Sequence, residues 1–286
     1  MLKFAGLGVV IFSVFGGFGL AGGSFAILIQ PLELVIIAGA AIGAYMIANR
    51  GHVLGHTVGN LGKIFAPPKY NKDSYLELLS LLYTAFKLAK TKGMLALEQH
   101  VENPRDSTLF SRFPTFLNNQ NAMVFLCDYL RLLTLGTDNP HEVEALIDEE
   151  IATFREEAMH VPHAVQGMAD GLPALGIVAA VLGVIKTMAI IDQPPAVIGA
   201  SIGGALVGTL LGVLLSYGFV GPMALAMKQD VDAEMKYLLC MKAGILAHMQ
   251  GYAPAVSVEF ARKALNSDVR PTFYEVESTV SALPPV

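Results

Sequence analysis

The stretch from Gly171 to Met227 holds only two formal charges, Lys186 and Asp192. Two apolar runs, Gly171 to Ile191 and Ala196 to Met227, flank an Asp192-Gln193-Pro194-Pro195 break, the pattern of two membrane-spanning helices joined by a tight turn. At 1.5 Å per residue the runs measure about 31 Å and about 48 Å. The second exceeds a hydrocarbon core of about 30 Å, so its last turns are predicted to project into water.

Small residues mark one side of both helices. Gly204, Gly208 and Gly212 fall at i, i+4 and i+8, Gly199 and Gly203 make a second pair, and Gly176, Ala179, Ala180 and Gly183 give the preceding helix a matching face. Such spacing lets backbones approach closely, which lipid tails have no use for, so the expected partner is protein. Polar atoms are few: Thr209, Ser216 and Tyr217 along one side, with Thr187 and Ser201 toward the outer end. Neither helix carries an Asp or Glu near its middle, where a path for protons or sodium needs an ionisable group. An ion path along these helices would take its carboxylate from another chain.

Composition agrees with a membrane protein: mean hydropathy is +0.54, 53% of the 286 residues are apolar and 15% are charged. A net charge of −5 argues against nucleic acid as a partner. Cys127 and Cys240 stand far apart without a CxxC spacing and read as small apolar packing residues. Phe4 to Gln30 is uncharged and too long for the apolar region of a secretory signal, and Leu34 to Ala48 follows at once, giving two further spans. Gly17, Gly19 and Gly22 spell GxGxxG, but no strand precedes them and helix packing is the expected use. Of 19 Lys and Arg residues, 17 lie in Arg50 to Lys92, Arg105 to Arg155 and Lys228 to Arg270. The positive-inside rule then places both termini and both long polar segments in the cytoplasm, with Lys186 snorkelling to the outer interface.

The expected fold is therefore an all-α integral membrane protein with four transmembrane helices. Residues 1–50 form helices 1 and 2, 51–169 a helical cytoplasmic domain, 170–227 helices 3 and 4, and 228–286 a cytoplasmic C-terminal segment of helices and tail. Within 51–169, Leu76, Leu79, Leu82, Tyr83, Phe86 and Leu88-Ala89 predict an amphipathic helix ending near Gly93. Met94 to Val101 adds a turn or two, and Asn121 to Leu135, with Phe125, Tyr129 and Leu132-Leu133 inward, makes a helix closed by Gly136. Asn139-Pro140-His141-Glu142 supplies an N-cap, a proline at the first helical position and an early acid ahead of a stripe of Val143, Leu146, Ile147, Phe154 and Ala158. Past Gly251-Tyr252-Ala253-Pro254, Val256 to Leu265 predicts a last amphipathic helix, and Asn266 to Val286 an extended tail. Lys87, Lys90, Lys92 and Glu98, with Asp148-Glu149-Glu150 and Glu156-Glu157, are the charges available for protein docking.

No phosphate-binding loop, HExxH, GxSxG or paired CxxC occurs, and nothing points to an enzyme or a cofactor. His52 and His56 are spaced i, i+4 but lack a third ligand, so no metal is expected. His160 and His163 flank Pro162, which is expected to keep them off one helical face.

Five segments carry a resemblance. They are Pro173-Ala174-Leu175-Gly176-Ile177-Val178-Ala179-Ala180-Val181-Leu182-Gly183; Leu206-Val207-Gly208-Thr209 through Leu214-Leu215-Ser216-Tyr217-Gly218-Phe219 to Pro222; Gly251-Tyr252-Ala253-Pro254 with Val258-Glu259-Phe260-Ala261-Arg262-Lys263; Gln30-Pro31-Leu32-Glu33-Leu34 to Gly39; and Glu102-Asn103-Pro104-Arg105. Over nearly its whole length the chain resembles the MotA family of flagellar stator proteins, in the MotA/TolQ/ExbB proton channel superfamily. The resemblance implies a multi-pass protein of the bacterial inner membrane in contact with its lipid. It implies a pentamer around a MotB-like partner that supplies the membrane Asp. It further implies Ala180, Thr209 and Tyr217 on the ion-path wall, Pro173 and Pro222 in conformational coupling, and helix packing at Gly176, Gly183, Gly204, Gly208 and Gly212. Lys90, Glu98 and Glu150 correspond to residues that meet a FliG-type rotor protein. Sodium-driven relatives carry Thr where Ala180 stands, so the implied ion is a proton, with sodium the alternative. The other readings are an ExbB- or TolQ-like energiser of envelope processes and a non-conducting membrane scaffold.

Overall fold

The computed structural model describes residues 2–284, except the side chains of His52, Leu61 and Lys63, so the His52/His56 pair lies outside the described residues. The helices in chain order are α1 (Leu2–Leu20), α2 (Pro31–Ala48), α3 (Gly51–Lys63), α4 (Lys72–Lys92), α5 (Met94–Glu102), α6 (Gln120–Thr134), α7 (Pro140–Met188), α8 (Pro195–Met249), α9 (Pro254–Lys263) and α10 (Phe273–Ser281). A single helical turn, Phe25–Leu28, precedes α2. Among the described residues there is no strand. The chain divides into two compact units, one of residues 1–67 and 158–229 and one of residues 68–157 and 230–286.

The first unit holds the two N-terminal apolar segments and the apolar parts of α7 and α8, whose remaining turns belong to the second unit. Four stretches, Leu2–Leu20, Phe25–Ala48, Pro140–Met188 and Pro195–Met249, are long and apolar enough to cross a membrane. Large apolar side chains such as Phe12, Leu20, Ile47 and Leu206 stand exposed on this unit, which water would not tolerate on such a scale but lipid or protein would. Two π-helical stretches interrupt the regular winding, Phe12–Gly16 in α1 and Leu214–Val220 in α8. The second ends just before Pro222, whose ring removes a backbone donor and crowds the turn behind it; a wider turn accommodates that loss. There the first helix comes close, since a Cβ on Gly218 would lie 3.2 Å from Val10 Cγ1. Lys3 Nζ donates to the Ile64 carbonyl at 2.7 Å, tying the start of α1 to the chain just past the end of α3.

Within this chain the GxGxxG of the first span packs against no other helix. A Cβ on Gly17 would meet nothing within 4 Å, one on Gly19 would meet only the Phe25 ring, and Gly22 has φ +80, the left-handed geometry that ends a helix. Gly199 also packs on nothing within 4 Å, and Gly203 approaches only Ile27, so the second glycine pair plays no part in the contact with α7.

The second unit is a helical body on one apolar core. Tyr75, Leu79, Leu82 and Phe86 of α4 are buried against Leu97, Phe110, Phe116, Phe125, Ile147, Met241 and Ala261. Each such side chain removed from water contributes about 1.5–3 kcal/mol. A capping box fixes the start of α4: Asn71 Oδ1 accepts from Ser74 N at 2.9 Å while Asn71 N donates to Ser74 Oγ at 2.9 Å. Its end is Gly93 at φ +86. Leu146, expected inside, is exposed; Val143 and Ile147 face the core instead. Cys127 and Cys240 are buried packing residues, and burial pushes the Cys127 thiol up to about 12.

The C-terminal segment contains a helix where an extended tail was expected. Thr272 N donates to Glu275 Oε2 at 2.7 Å and Glu275 N to Thr272 Oγ1 at 3.3 Å, a capping box that starts α10. Arg262, buried, donates to both Glu259 oxygens at 2.7 and 2.6 Å and to the Pro271 carbonyl at 2.8 Å. The Val258–Lys263 motif therefore anchors the chain that leads into α10.

The closest backbone contact of the first unit gives a direct test. A Cβ on Gly212 would lie 2.7 Å from the Gly176 Cα and 2.7 Å from the Leu172 carbonyl, both backbone atoms that cannot step aside. Gly212→Ala is expected to destabilise by about 1–3 kcal/mol and Gly199→Ala to be near neutral. Apparent melting temperatures of the detergent-solubilised variants check both.

Candidate functional site

The contact between α7 and α8 is a seam of backbone against backbone. A Cβ on Gly176 would lie 2.9 Å from the Gly208 carbonyl, one on Gly183 2.5 Å from Ala205 Cβ, and one on Gly208 3.1 Å from Ala179 Cβ and 3.2 Å from Ala180 N. At Gly176 and Gly183 a methyl group would overlap its neighbours, and at Gly208 the neighbours would have to give by a few tenths of an ångström. At one end Thr187 donates to the Gly183 carbonyl at 2.9 Å and shares a 2.7 Å hydrogen bond with Ser201, joining the two helices. Ser216 is buried farther along.

Of the three residues assigned to an ion-path wall, Ala180 and Thr209 are half-buried, and Tyr217 is 72% exposed within the π-helical stretch. Thr209 follows Gly208 directly, and Gly208 faces the Ala180 backbone, so the seam brings these two to one level. Gly204 serves differently from its neighbours: its would-be Cβ meets the Gln30 amide at 3.0 Å and not α7.

The sequence reading missed Glu33. It searched α7 and α8 for an acid and found none, but α2 delivers one to their junction. Glu33 Oε2 lies 3.1 Å from the position of a Gly208 Cβ, and Oε1 3.6 Å from that of Gly183. The Oε2 atom is buried and has no hydrogen-bond partner among the described residues. The signal was legible: a lone Glu in the first turn of an apolar helix that begins at Pro31.

The prolines lie in unbroken helix. Pro173 is half-buried inside α7, next to Leu172, whose carbonyl abuts Gly212; Pro222 is exposed, two residues after the π stretch ends at Val220. Pro162 is also interior to α7, and this corrects the reading of its flanking histidines. His160 and His163, three residues apart on continuous helix, line one cavity.

The charged residues lie in the second unit. Lys90, at the last turn of α4, and Glu98, in α5, are exposed and make no ion pair among the described residues. The acidic run of α7 is partly occupied: Lys242 binds Asp148 at 2.7 Å and Glu144 at 3.2 Å, and the Tyr129 hydroxyl donates to Glu150. Glu150 is thus held in place on the unit's surface, whereas Lys90 and Glu98 keep their charges open. Behind Lys90, His248 stacks on Phe86 at 4.5 Å, and its Nδ1 has no hydrogen-bond partner among the described residues. Burial, with the Lys90 charge added, holds this imidazole below the usual histidine range. Among the described residues no three His, Cys, Asp or Glu side chains are grouped to hold a metal.

This fold and seam define a class: a helical membrane protein with several spans whose glycine-lined pair is shaped to stand against protein. Residues 4–93 match the family described as Motility protein A N-terminal, and residues 118–240 match the MotA/TolQ/ExbB proton channel family. Motility protein A of Salmonella typhimurium is 44% identical over 283 residues, covering 99% of this chain and 96% of that protein. The chain belongs to the Motility protein A family. Its fold is similar to that of a chain in the Campylobacter jejuni MotAB structure, at TM-score 0.77 and 19% identity over 93% of this chain and 95% of that one. It is also similar to a chain of the flagellar MotAB stator complex of Bacillus subtilis, at TM-score 0.72 and 25% identity over 90% and 92%.

His248 makes the second unit sensitive to acid. Its folded-state proton affinity is depressed, so the unfolded chain binds a proton more readily, and stability is lost as pH falls below the ordinary histidine value near 6.5. His248→Phe is expected to flatten the decline in melting temperature between about pH 6.5 and pH 5; thermal melts across that range measure it.

Proposed function

We propose that the chain is a stator subunit of the bacterial flagellar motor that forms, with a MotB-like partner, a proton channel converting proton flow into torque on the rotor. The observation that carries this reading is the full-length similarity to Motility protein A. The specific match of residues 4–93 to the Motility protein A N-terminal family favours it over an ExbB- or TolQ-like energiser. The chain lies in the bacterial inner membrane as part of a homopentamer, with both termini and the second unit in the cytoplasm, as its basic residues require.

In this mechanism a proton reaches the partner's Asp and neutralises it. The neutral acid then prefers the apolar wall of Ala180 and its neighbours, with the Thr209 hydroxyl as the available hydrogen-bond partner and Tyr217 farther along. Each charge crossing yields about 2.3 kcal/mol per 100 mV, enough to bias states of the ring that differ by a few kcal/mol. Pro173 and Pro222 interrupt the backbone ladder of α7 and α8 beside the seam, which makes these the places where the helices bend. Lys90 and Glu98, which make no ion pair among the described residues, meet complementary charges on a FliG-type rotor protein, and Glu150 contributes from its fixed position. Ala180 offers no oxygen ligand for sodium, which supports the proton as the ion.

Lys90→Glu and Glu98→Lys are each expected to weaken rotor docking about tenfold, or about 1.4 kcal/mol, and to slow swimming while proton uptake into energised cells stays at the wild-type level. Thr209→Val is expected to lower both. If both charge reversals swim normally, the docking assignment fails. Swimming that follows the sodium gradient and ignores a protonophore would replace the proton with sodium.

A further inference from the structure

A cavity of about 700 Å³ opens in the first unit between α2 and the middle of α7. One end is lined by Asn49, Arg50, His160 and His163, and the other by Ala41 and Leu175. Along α2 the lining runs about 12 Å from Asn49 back to Ala41, and along α7 about 18 Å from His163 to Leu175. The nitrogen-bearing side chains gather at one end, and toward Ala41 and Leu175 the lining is apolar apart from Tyr45, whose hydroxyl is bonded to Thr57. Gly167 and Gly171 form the floor between: a Cβ on either would meet nothing within 4 Å, so the trough stays open. No acidic side chain lines it, and Asp170, nearest along α7, accepts from Gln166 Nε2 at 2.7 Å. Arg50, His160 and His163 make no ion pair or side-chain hydrogen bond among the described residues.

We infer that this cavity binds one anionic phospholipid of the cytoplasmic leaflet, its phosphate at Arg50, His160 and His163 and an acyl chain along the trough to Leu175. The inference rests on the cytoplasmic orientation proposed above. The match is in chemistry and in direction. Three nitrogen-bearing side chains without a counter-charge sit where the headgroups lie, and the apolar part of the trough runs inward at the depth of the acyl chains. A basic recess between spans on the cytoplasmic side suits an anionic headgroup; a second protein helix in the same place would have to bring acids of its own. The binding is lost by removing the charge or by filling the trough, and these are separable.

The test uses the full chain co-expressed with its partner, extracted in mild detergent, washed, and exposed to vesicles of phosphatidylglycerol or of phosphatidylcholine, with retained lipid counted by native mass spectrometry. The wild type is expected to keep phosphatidylglycerol in preference to phosphatidylcholine. The Arg50→Gln/His163→Gln variant is expected to lose that preference about tenfold, Ala44→Trp to lose both lipids, and Lys186→Gln to behave as wild type. Equal retention of the two lipids, or full retention by both the charge and the filling variants, would overturn the assignment. So would displacement of the retained lipid by inorganic phosphate, which would make the site one for the free anion. A disulfide between copies carrying Ala44→Cys and Gly167→Cys would overturn it too, since the trough would then hold a second subunit. Lipid retention is read on purified protein, so a failure here leaves the swimming phenotypes of the docking and wall residues to be judged separately.

Discussion

The closest constraint in this protein is the distance between the backbones of α7 and α8. Gly176 and Gly212 leave less than the width of a methyl group between the two helices, and everything that gives the membrane unit its chemistry is placed by that approach. It sets Ala180 at the level of Thr209, it leaves the notch that the Glu33 carboxylate and the Gln30 amide occupy, and it puts the Leu172 carbonyl, one residue before Pro173, against Gly212. In lipid the helices gain nothing from burying leucine, so shape and a few hydrogen bonds decide which surfaces meet. The Thr187–Ser201 bond at the end of the seam is one of those few.

Apart from the Glu33 carboxylate that α2 brings to the seam, α7 and α8 themselves offer little polarity. A single hydroxyl in an apolar surface is a weak partner for a charged carboxylate and an adequate one for a neutral acid. A proton arriving at the partner's Asp therefore changes which surface that acid prefers, and the helices need not carry a charge themselves. The π-helical turn before Pro222 adds a place where the hydrogen-bond ladder is already loosened, so a bend there costs less than in regular helix.

The second unit separates charges that hold the fold from charges that face outward. Arg262 with Glu259, and Lys242 with Asp148, are internal ties, and the Tyr129 hydroxyl fixes Glu150. Lys90 and Glu98 carry no such ties. Sequence reading grouped Asp148 and Glu150 with Lys90 and Glu98 as one set of surface charges, because a charge pattern says which residues are exposed and not which are already matched by a residue far away in the chain.

Much of the architecture was legible in the residue order. Long apolar runs with almost no charge can only be spans, a Gly after an amphipathic run ends a helix, and Asn139-Pro140 starts one; these are local consequences of backbone chemistry. The α10 helix was legible too, in the Thr272-Phe273-Tyr274-Glu275 cap, though the reading passed it by. What tertiary structure alone decided was which glycine meets which neighbour. Gly199 and Gly212 share a spacing rule, but one faces open space and the other a carbonyl at 2.7 Å, because helical periodicity fixes a face and only the packing of another helix fixes what that face touches. Glu33 entered the seam for the same reason: its position in α2 is local, whereas the notch that receives it is made by two helices more than a hundred residues later.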